Sequence, residues 1–199
     1  MQRYLVPSKY IDFEDAGVRA LAMSLERHAS SELELVRKCF ELVRDEIRHT
    51  SDFRLNPVTC KASDVLRHKT GYCYAKSHLL AALLRANGIP TGLCYQRLSA
   101  GQGGAPYCLH GLNAVHLTNF GWYRIDARGN KPGINADFCP PTEALAFRVE
   151  GDPQERDLPE IWAEPLPIVV AVLESCETFE QVLARLPDIE LAATASASL

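Results

Sequence analysis

The chain has 199 residues, 47% of them hydrophobic and 23% charged, and its formal net charge is −4. This length and composition predict one ordinary globular domain, which can fold without disulfides or metals. The net negative charge argues against nucleic acid or an anionic membrane as a partner, and no apolar stretch approaches the ~18 residues of a membrane span.

The N-terminal segment, Met1 to Pro7, lacks the apolar stretch and cleavage site of a signal peptide, so a cytoplasmic protein is expected. Seven cysteines are spread along the chain without a C-x-x-C pair, which argues against a zinc site or a redox dithiol. We therefore expect reduced thiols, no metal and no cofactor. The alternative, a redox or metal-handling thiol protein, predicts paired cysteines or an acidic thiol without a histidine partner.

The first ~90 residues show helical periodicity. Apolar spacing, with a capping box that begins at Ser31, predicts helices over 14–28, 31–48 and 63–68. The segment from Cys73 to Asn87 is apolar around most of its circumference, which predicts a buried central helix. Gly88 then ends this helix.

After position 90 the pattern becomes that of strands and loops. Residues 191–199 lack apolar mass and are expected to form a disordered tail, so the single domain covers 1–190. Helices first and antiparallel strands later predict an α+β domain. The predicted strands are 93–98, 108–117, 121–126 and 144–149; 99–106 is a glycine-rich loop, 167–176 fits a helix or a strand, and 178–186 is helical.

Cys73 is a candidate nucleophile because it opens the buried helix. Free backbone N–H groups and the positive end of the helix dipole favour a thiolate there, and the same N–H groups can stabilise an oxyanion. Gly71, which has no side chain, would leave an unhindered approach to the thiol, and Tyr72 is its direct neighbour. Alternatively, Cys73 only fills the first turn of a core helix, and its position alone does not decide between the two.

A cysteine nucleophile needs a histidine as base and a third group that orients it. Four of the six histidines are poor candidates: three near helix ends are expected at the surface, and one on the central helix is rotated away from the thiol. These four are His28, His49, His68 and, on the central helix, His78. His110 and His116, both on the strand over 108–117, remain.

Asp126 ends the second strand of the predicted hairpin and could orient either histidine. If the turn is centred near Thr118, His110 lies opposite Asp126. If the turn is centred near Phe120, His116 becomes the nearer histidine. Alternation slightly favours His110 and does not settle the register.

Two stretches of the sequence resemble the transglutaminase-like superfamily. G-Y-C at 71–73 and L-L-R-A-N-G-I-P at 83–90 resemble its G-x-C at a helix start and its L-L-R-x-x-G-I-P run. H-G-L-N-A-V-H at 110–116 and G-W-Y-R-I-D at 121–126 resemble its H-A-W strand, G-W and terminal D. The resemblance covers about 69–126 and places G-L where the family usually has A-W.

This resemblance implies a papain-like α+β fold, in which N-terminal helices and a central catalytic helix pack on an antiparallel sheet. It implies Cys73 as nucleophile, His110 as base and Asp126 as the group that orients His110. No metal ion is implied.

Supporting roles at the site are less clear from the sequence. Trp122 takes the tryptophan position of the family and is a candidate for substrate support, although a strand aromatic is more often part of the core. The side-chain oxyanion donor that related enzymes place upstream of the cysteine is not identifiable. Gln96 or Asn113 could substitute for it, as could backbone N–H groups alone.

The resemblance implies acyl transfer through a thioester on Cys73, with water or an amine as acceptor. For a small stand-alone domain we expect hydrolysis, by a protease or amidase that acts on a peptide, protein or small amide. A transglutaminase or acyltransferase is the alternative, and a domain that kept the fold for binding and lost activity is another. The loop over 99–106 could border the site as a lid or be an ordinary surface loop.

Overall fold

The computed structural model describes residues 1–101 and 103–190, so the predicted tail over 191–199 lies outside the described residues. The helices are α1 (Ala16–Arg27), α2 (Glu32–Glu41), α3 (Thr50–Phe53), α4 (Ala62–His68), α5 (Cys73–Ala86), α6 (Pro167–Ser175) and α7 (Phe179–Leu183). The strands are β1 (Arg48–His49), β2 (Thr70–Gly71), β3 (Thr91–Ser99), β4 (Tyr107–Leu117), β5 (Gly121–Ile125), β6 (Asp137–Cys139), β7 (Thr142–Ala144) and β8 (Arg156–Asp157).

The first two long helices begin where the sequence predicts. The Asp15 carboxylate accepts from the first turn of α1, and Ser31 Oγ accepts from Glu34 N at 3.2 Å in α2. Glu34 reaches back to the backbone N–H of Ser30 (2.7 Å), so the capping box is shifted by one residue. After α2 the chain makes one wide π turn over Leu42–Glu46, which confirms the predicted end of this helical segment near position 48.

Helix α5 is the centre of the fold, between the other N-terminal helices and the sheet. Every residue from Cys73 to Arg85 is buried, which confirms the predicted core helix. Its polar side chains therefore need internal partners: His78 Nδ1 lies 2.7 Å from Cys60 O, and Arg85 Nε donates to Thr91 O at 2.9 Å. The helix ends at Gly88, whose φ is 73°.

The main sheet is antiparallel, with strand order β5-β4-β3-β8, and this α+β arrangement confirms the predicted fold class. Leu117 pairs with Gly121 in the β4–β5 ladder, so the turn is centred on position 119. Both predicted turn centres, Thr118 and Phe120, were therefore wrong by one residue. Continuation of the ladder makes His110 and Asp126 diagonal neighbours on one face of the sheet.

The predicted strand over 144–149 was wrong beyond Ala144, because 145–149 form no ladder. Their backbone groups bind side chains instead: Ala146 N donates to Asp126, and Phe147 O accepts from Gln96 Nε2. The ambiguous segment over 167–176 is helix α6, which begins at Pro167 in its first position. No helix among residues 1–101 and 103–190 combines the length and apolarity needed to cross a bilayer.

Candidate active site

Three side chains predicted from the sequence meet at the start of α5. Cys73 is the first residue of α5, and His110 projects from β4 toward it. His110 Nε2 lies 2.8 Å from Asp126 Oδ2, just past the end of β5. Exposure is 7% for Cys73, 5% for His110 and 0% for Asp126, so the group is screened from bulk water. Because Asp126 occupies Nε2, the other ring nitrogen of His110, Nδ1, is the one left for the thiol.

His110 is held in its protonated form by its neighbours. Burial alone lowers the pKa of this imidazole, but the negative charges of Asp126 and Cys73 and hydrogen bonds to both raise it to about 10. An imidazolium beside sulfur favours a thiolate, which is the nucleophilic form of cysteine. The arrangement therefore suits a thiolate–imidazolium pair at neutral pH.

Asp126 both contacts His110 and shapes the turn after β5. Its Oδ1 accepts from Arg128 N at 3.1 Å, which shapes the turn after β5. Its Oδ2 accepts from Ala146 N at 3.1 Å and from His110. Burial raises the pKa of this carboxyl, but the His110 charge and these hydrogen bonds outweigh burial and lower it. The carboxylate is thus fixed in place and ionised.

Gly111 makes a contact that the sequence did not predict. Its backbone N–H donates to Cys73 Sγ at 3.4 Å. A Cβ at Gly111 would lie only 3.0–3.2 Å from Tyr74, including the backbone N and Cα. A residue without a side chain therefore lets β4 approach the start of α5. The signal was present in the sequence as the glycine that stands where the family usually has alanine.

Backbone groups at the start of α5 can serve as an oxyanion hole. The first N–H groups of a helix have no intrahelical acceptor, and Tyr72, the N-cap residue, offers no side-chain cap. Its hydroxyl instead donates to Phe179 O at 2.7 Å. The first N–H groups of α5 thus have no acceptor from a capping side chain and could stabilise an oxyanion.

The three side chains predicted for supporting roles have other partners in the structure. Gln96 lies opposite His110 in the β3–β4 ladder, but its Nε2 donates to Asp157 at 2.9 Å. Asn113 Nδ2 is likewise committed, to Ser77 O at 3.0 Å. Trp122 packs edge-on against Tyr4 and His116 and against a small apolar cluster, as a core aromatic does.

Gly71 also has a different role from the predicted one. A Cβ there would lie 3.3 Å from Ala75 Cβ and 3.3 Å from Thr59 Oγ1, both inside the protein. The missing side chain therefore allows β2 to pack on α5, and it does not open an approach for substrate.

A cavity of about 460 Å³ leads to the thiol, and we call it the Cys73 cavity. Four residues of the glycine-rich loop line it, which confirms that this loop borders the site: Ser99, Ala100, Gly101 and Gly103. Among the residues that the structure describes, no three or more His, Cys, Asp or Glu side chains are grouped to hold a metal ion. The rest of the lining is His49, Ser51, Tyr72, Cys73, Tyr74, Leu98, Cys108, Leu109, His110, Arg128, Lys131, Ile134, Phe147, Arg148, Glu155, Leu183 and Leu186.

His49 was expected at the surface, but it is buried and lines the Cys73 cavity. It pairs with Gly71 across the β1–β2 ladder, and its ring centre lies 5.6 Å from that of Tyr72. Burial and the charge of Arg128 hold its pKa well below the usual range, so the ring is neutral at pH 7. Burial alternates over Ile47, Arg48 and His49, but a strand of two residues is too short for this to be a signal in the sequence.

Lys76 is a buried cation one turn along α5 from the thiol, with 1% exposure. Its Nζ donates to the backbone oxygens of Ile47 and Arg44 at the end of the π turn. Burial, followed by the charge of Arg128, lowers its pKa to about 7, although negative charges led by Asp126 oppose this.

Replacement of Lys76 by methionine is expected to stabilise the protein more at pH 7 than at pH 10. The unfolded chain keeps the lysine proton up to about pH 10.4, whereas the folded protein releases it near pH 7. The free energy of unfolding of the wild type therefore decreases as the pH falls through this range, whereas the methionine variant has no such decrease at this position. Urea unfolding should show a difference between the two pH values on the order of 3–5 kcal/mol. The exposed Lys61→Met control should show none, and a pH-independent effect at Lys76 would contradict the explanation.

The sequence model of the transglutaminase-like superfamily matches residues 19–127, more than half of the chain, so the chain belongs to this superfamily. The matched span includes Cys73, His110 and Asp126, and membership indicates cysteine-based catalysis in general. No curated protein matches the chain.

Among solved structures, the chain is similar to a putative cysteine protease from Cytophaga hutchinsonii, with a TM-score of 0.50 and 19% identity over 63% of this chain and 40% of that one. It also resembles the periplasmic domain of TgpA from Pseudomonas aeruginosa, with a TM-score of 0.46 and 20% identity over 63% of this chain and 45% of that one. The same domain bound to ethylmercury gives a TM-score of 0.44 and 21% identity over 63% and 47%. The chain thus spans less than half of each of these structures, and the likeness concerns the fold.

Proposed function

We propose that this protein is a cysteine acyl hydrolase that cleaves an amide or ester through a thioester on Cys73. The observation that carries the proposal is the 2.8 Å contact between His110 and Asp126, made where the Gly111 N–H donates to Cys73 Sγ at 3.4 Å. The proposed nucleophile, its base and the carboxylate that orients the base thus lie together in one buried site, as acyl transfer requires.

The first half of the reaction forms the thioester. The Cys73 thiolate attacks the carbonyl carbon, a sulfur–carbon bond forms, and the N–H groups at the start of α5 hold the oxyanion. His110 then gives its Nδ1 proton to the leaving nitrogen or oxygen as the bond to the carbonyl carbon breaks. Asp126 keeps the imidazole oriented throughout.

The second half removes the acyl group. His110 takes a proton from water as the water oxygen attacks the thioester carbon, and the carbon–sulfur bond breaks to regenerate the thiolate. Water needs no binding site of its own, whereas transfer to an amine requires that the amine be bound and water excluded. The cavity rim includes exposed groups, Gly101 and Lys131 among them, so water can reach the thioester.

The size of the Cys73 cavity indicates what can be attacked. About 460 Å³ accommodates a small amide or a short peptide segment. We therefore propose a peptide or small amide as the substrate class.

Treatment of the protein with p-nitrophenyl acetate tests this proposal. We expect a burst of p-nitrophenolate and an acetyl group that intact and peptide mass spectrometry place on Cys73, followed by its loss to water. Cys73→Ala should lose the burst, whereas Cys139→Ala, which removes an exposed thiol, should keep it. If an added amine such as glycinamide captures the acetyl group in preference to water, the enzyme is an acyltransferase. If Cys73 is not acetylated faster than Cys139, the domain is catalytically silent.

A further inference from the structure

The lining of the Cys73 cavity has more positive than negative side chains, whereas the whole chain has more negative ones. Apart from the catalytic group and neutral His49, the lining contains three cations, Arg128, Lys131 and Arg148, and one carboxylate, Glu155. The whole chain has 21 Lys and Arg against 25 Asp and Glu, so this local excess of positive charge is a property of the cavity. We call the three cations the basic wall.

One end of the basic wall is held rigidly next to the catalytic histidine. Arg128 is 8% exposed and binds Asp52 through both terminal nitrogens, at 2.7 and 3.1 Å. Its guanidinium lies 5.7 Å from the Phe147 ring centre, which in turn lies 4.9 Å from that of His110. Asp52 also binds Lys131 Nζ at 2.6 Å. The single negative charge of Asp52 is thus shared by Arg128 and Lys131, so it does not balance both of their positive charges.

Arg148 is the free member of the basic wall. It follows Phe147 directly, is exposed, and forms no hydrogen bond or ion pair with any residue in 1–101 or 103–190. A guanidinium presents a planar fork of donors that matches a carboxylate, and here that fork has no acceptor among the described residues.

The single carboxylate of the lining is bound to the backbone. Glu155 Oε1 accepts from Ser99 N at 2.8 Å, beside the glycine-rich loop. Leu98, Leu183 and Leu186 add apolar surface to the lining. Among the charged side chains of the lining, Arg148 is thus the one for which the described residues supply no partner, and the leucines suit an apolar chain.

We propose that the acyl donor carries a carboxylate or an equivalent anionic group close to the carbonyl that Cys73 attacks, and that Arg148, assisted by Lys131, binds this group. The proposal rests on the acyl-transfer function proposed above and names the substrate class for that site.

Alkylation with a matched pair of reagents tests the proposal without knowledge of the substrate. Iodoacetate and iodoacetamide have nearly the same size, and each forms a sulfur–carbon bond at Cys73 with loss of iodide, but only iodoacetate is anionic. The ratio of their rates at Cys73, measured by peptide mass spectrometry at low ionic strength, therefore reports the electrostatic preference of the cavity. The His110 imidazolium contributes equally in every variant compared.

Arg148→Ala is expected to lower the iodoacetate-to-iodoacetamide ratio about two- to threefold, and Arg148→Ala combined with Lys131→Ala to lower it further, since each removes one cation that lines the cavity. Arg148→Lys should retain most of the ratio. Arg19→Ala, which removes an exposed arginine on α1 outside the cavity, should leave it unchanged. Salt at about 0.5 M should reduce the wild-type ratio toward that of Arg148→Ala.

Equal ratios in wild type, Arg148→Ala and Arg19→Ala would overturn the proposal. That result is distinct from failure of the proposed function, in which iodoacetamide would alkylate Cys73 no faster than exposed Cys139. Rapid alkylation of Cys73 with no dependence on Arg148 would leave the acyl-transfer function standing and remove the anionic substrate class.

Discussion

Replacement of His110 by alanine is expected to slow the alkylation of Cys73 by iodoacetamide at pH 6 by about 10²-fold. His110 is protonated at pH 6, because the negative charges of Asp126 and Cys73 and hydrogen bonds to both raise its pKa to about 10. A thiol without such a partner, with an ordinary pKa near 8.5, is ionised in only about 0.3% of molecules at pH 6. The wild-type rate should change little between pH 6 and 8, whereas the variant's rate should rise about tenfold per pH unit until it approaches the wild-type rate near pH 9.

His116→Ala is the matched control, because this histidine lies on the same strand but packs against Trp122, away from the cavity. Its alkylation profile should follow that of wild type. Identical profiles for wild type and His110→Ala would show that the thiol ionises independently of the imidazole and would remove His110 from the mechanism.

Replacement of Asp126 is expected to lower the free energy of unfolding strongly and also to slow catalysis. Asp126→Ala leaves a buried, protonated imidazole and two backbone N–H groups, those of Arg128 and Ala146, without their acceptor. Removal of one member of such a buried pair typically costs about 3–5 kcal/mol. Asp126→Asn keeps the shape but loses the charge, and turnover should fall by about 10²–10⁴-fold because the imidazole is no longer held in the required state.

The stability that Asp126 provides should depend on pH. The His110 pKa is raised, so its contribution is complete below about pH 6.5 and is lost as pH rises toward about 10. The Asp126 pKa is lowered, so its contribution is complete above about pH 4 and is lost as pH falls through the lowered value. The difference in unfolding free energy between wild type and Asp126→Asn should thus be largest between about pH 4 and 6.5.

Urea unfolding of both proteins from pH 4 to 10 measures this difference. Lys76 titrates over the alkaline part of the range with the opposite sign, so the wild-type curve alone would conceal the effect, and the comparison of the two proteins largely removes the lysine. Asp64→Asn, which alters a surface ion pair with Arg67, should stay within about 0.5 kcal/mol of wild type at every pH. A difference at Asp126 that does not vary with pH would contradict the charged pair.

Predictions from the sequence were good where the relevant interactions are local. The cap at Ser31, the apolar circumference of α5 and the glycine at its end each depend on residues within about one turn. The β4–β5 hairpin was also found, but its turn centre was off by one residue. Alternation repeats every second residue and shows which face a side chain takes, but it does not show where the chain reverses.

Features that depend on distant segments were missed. His49 is buried because β1 pairs with β2, and a strand of two residues is too short to show alternation. Residues 145–149 are irregular because the side chains of Asp126 and Gln96 take the backbone groups that a strand would use. The amide of Gln96 is likewise committed by its bond to Asp157 in β8, a strand that the sequence did not predict.

The amino-acid sequence by itself determined that Cys73 opens a buried helix and that His110 and Asp126 belong to one hairpin, since helix periodicity, capping and strand alternation are written in neighbouring residues. Only the tertiary structure decided that β4 crosses the start of α5, where Gly111 fits against Tyr74 and brings His110 to the thiol. The basic wall arises in the same way, because Arg128, Lys131 and Arg148 come together through the packing of loops that have no pattern of their own. Close approach of distant elements depends on the fit of their side chains, which no local period encodes.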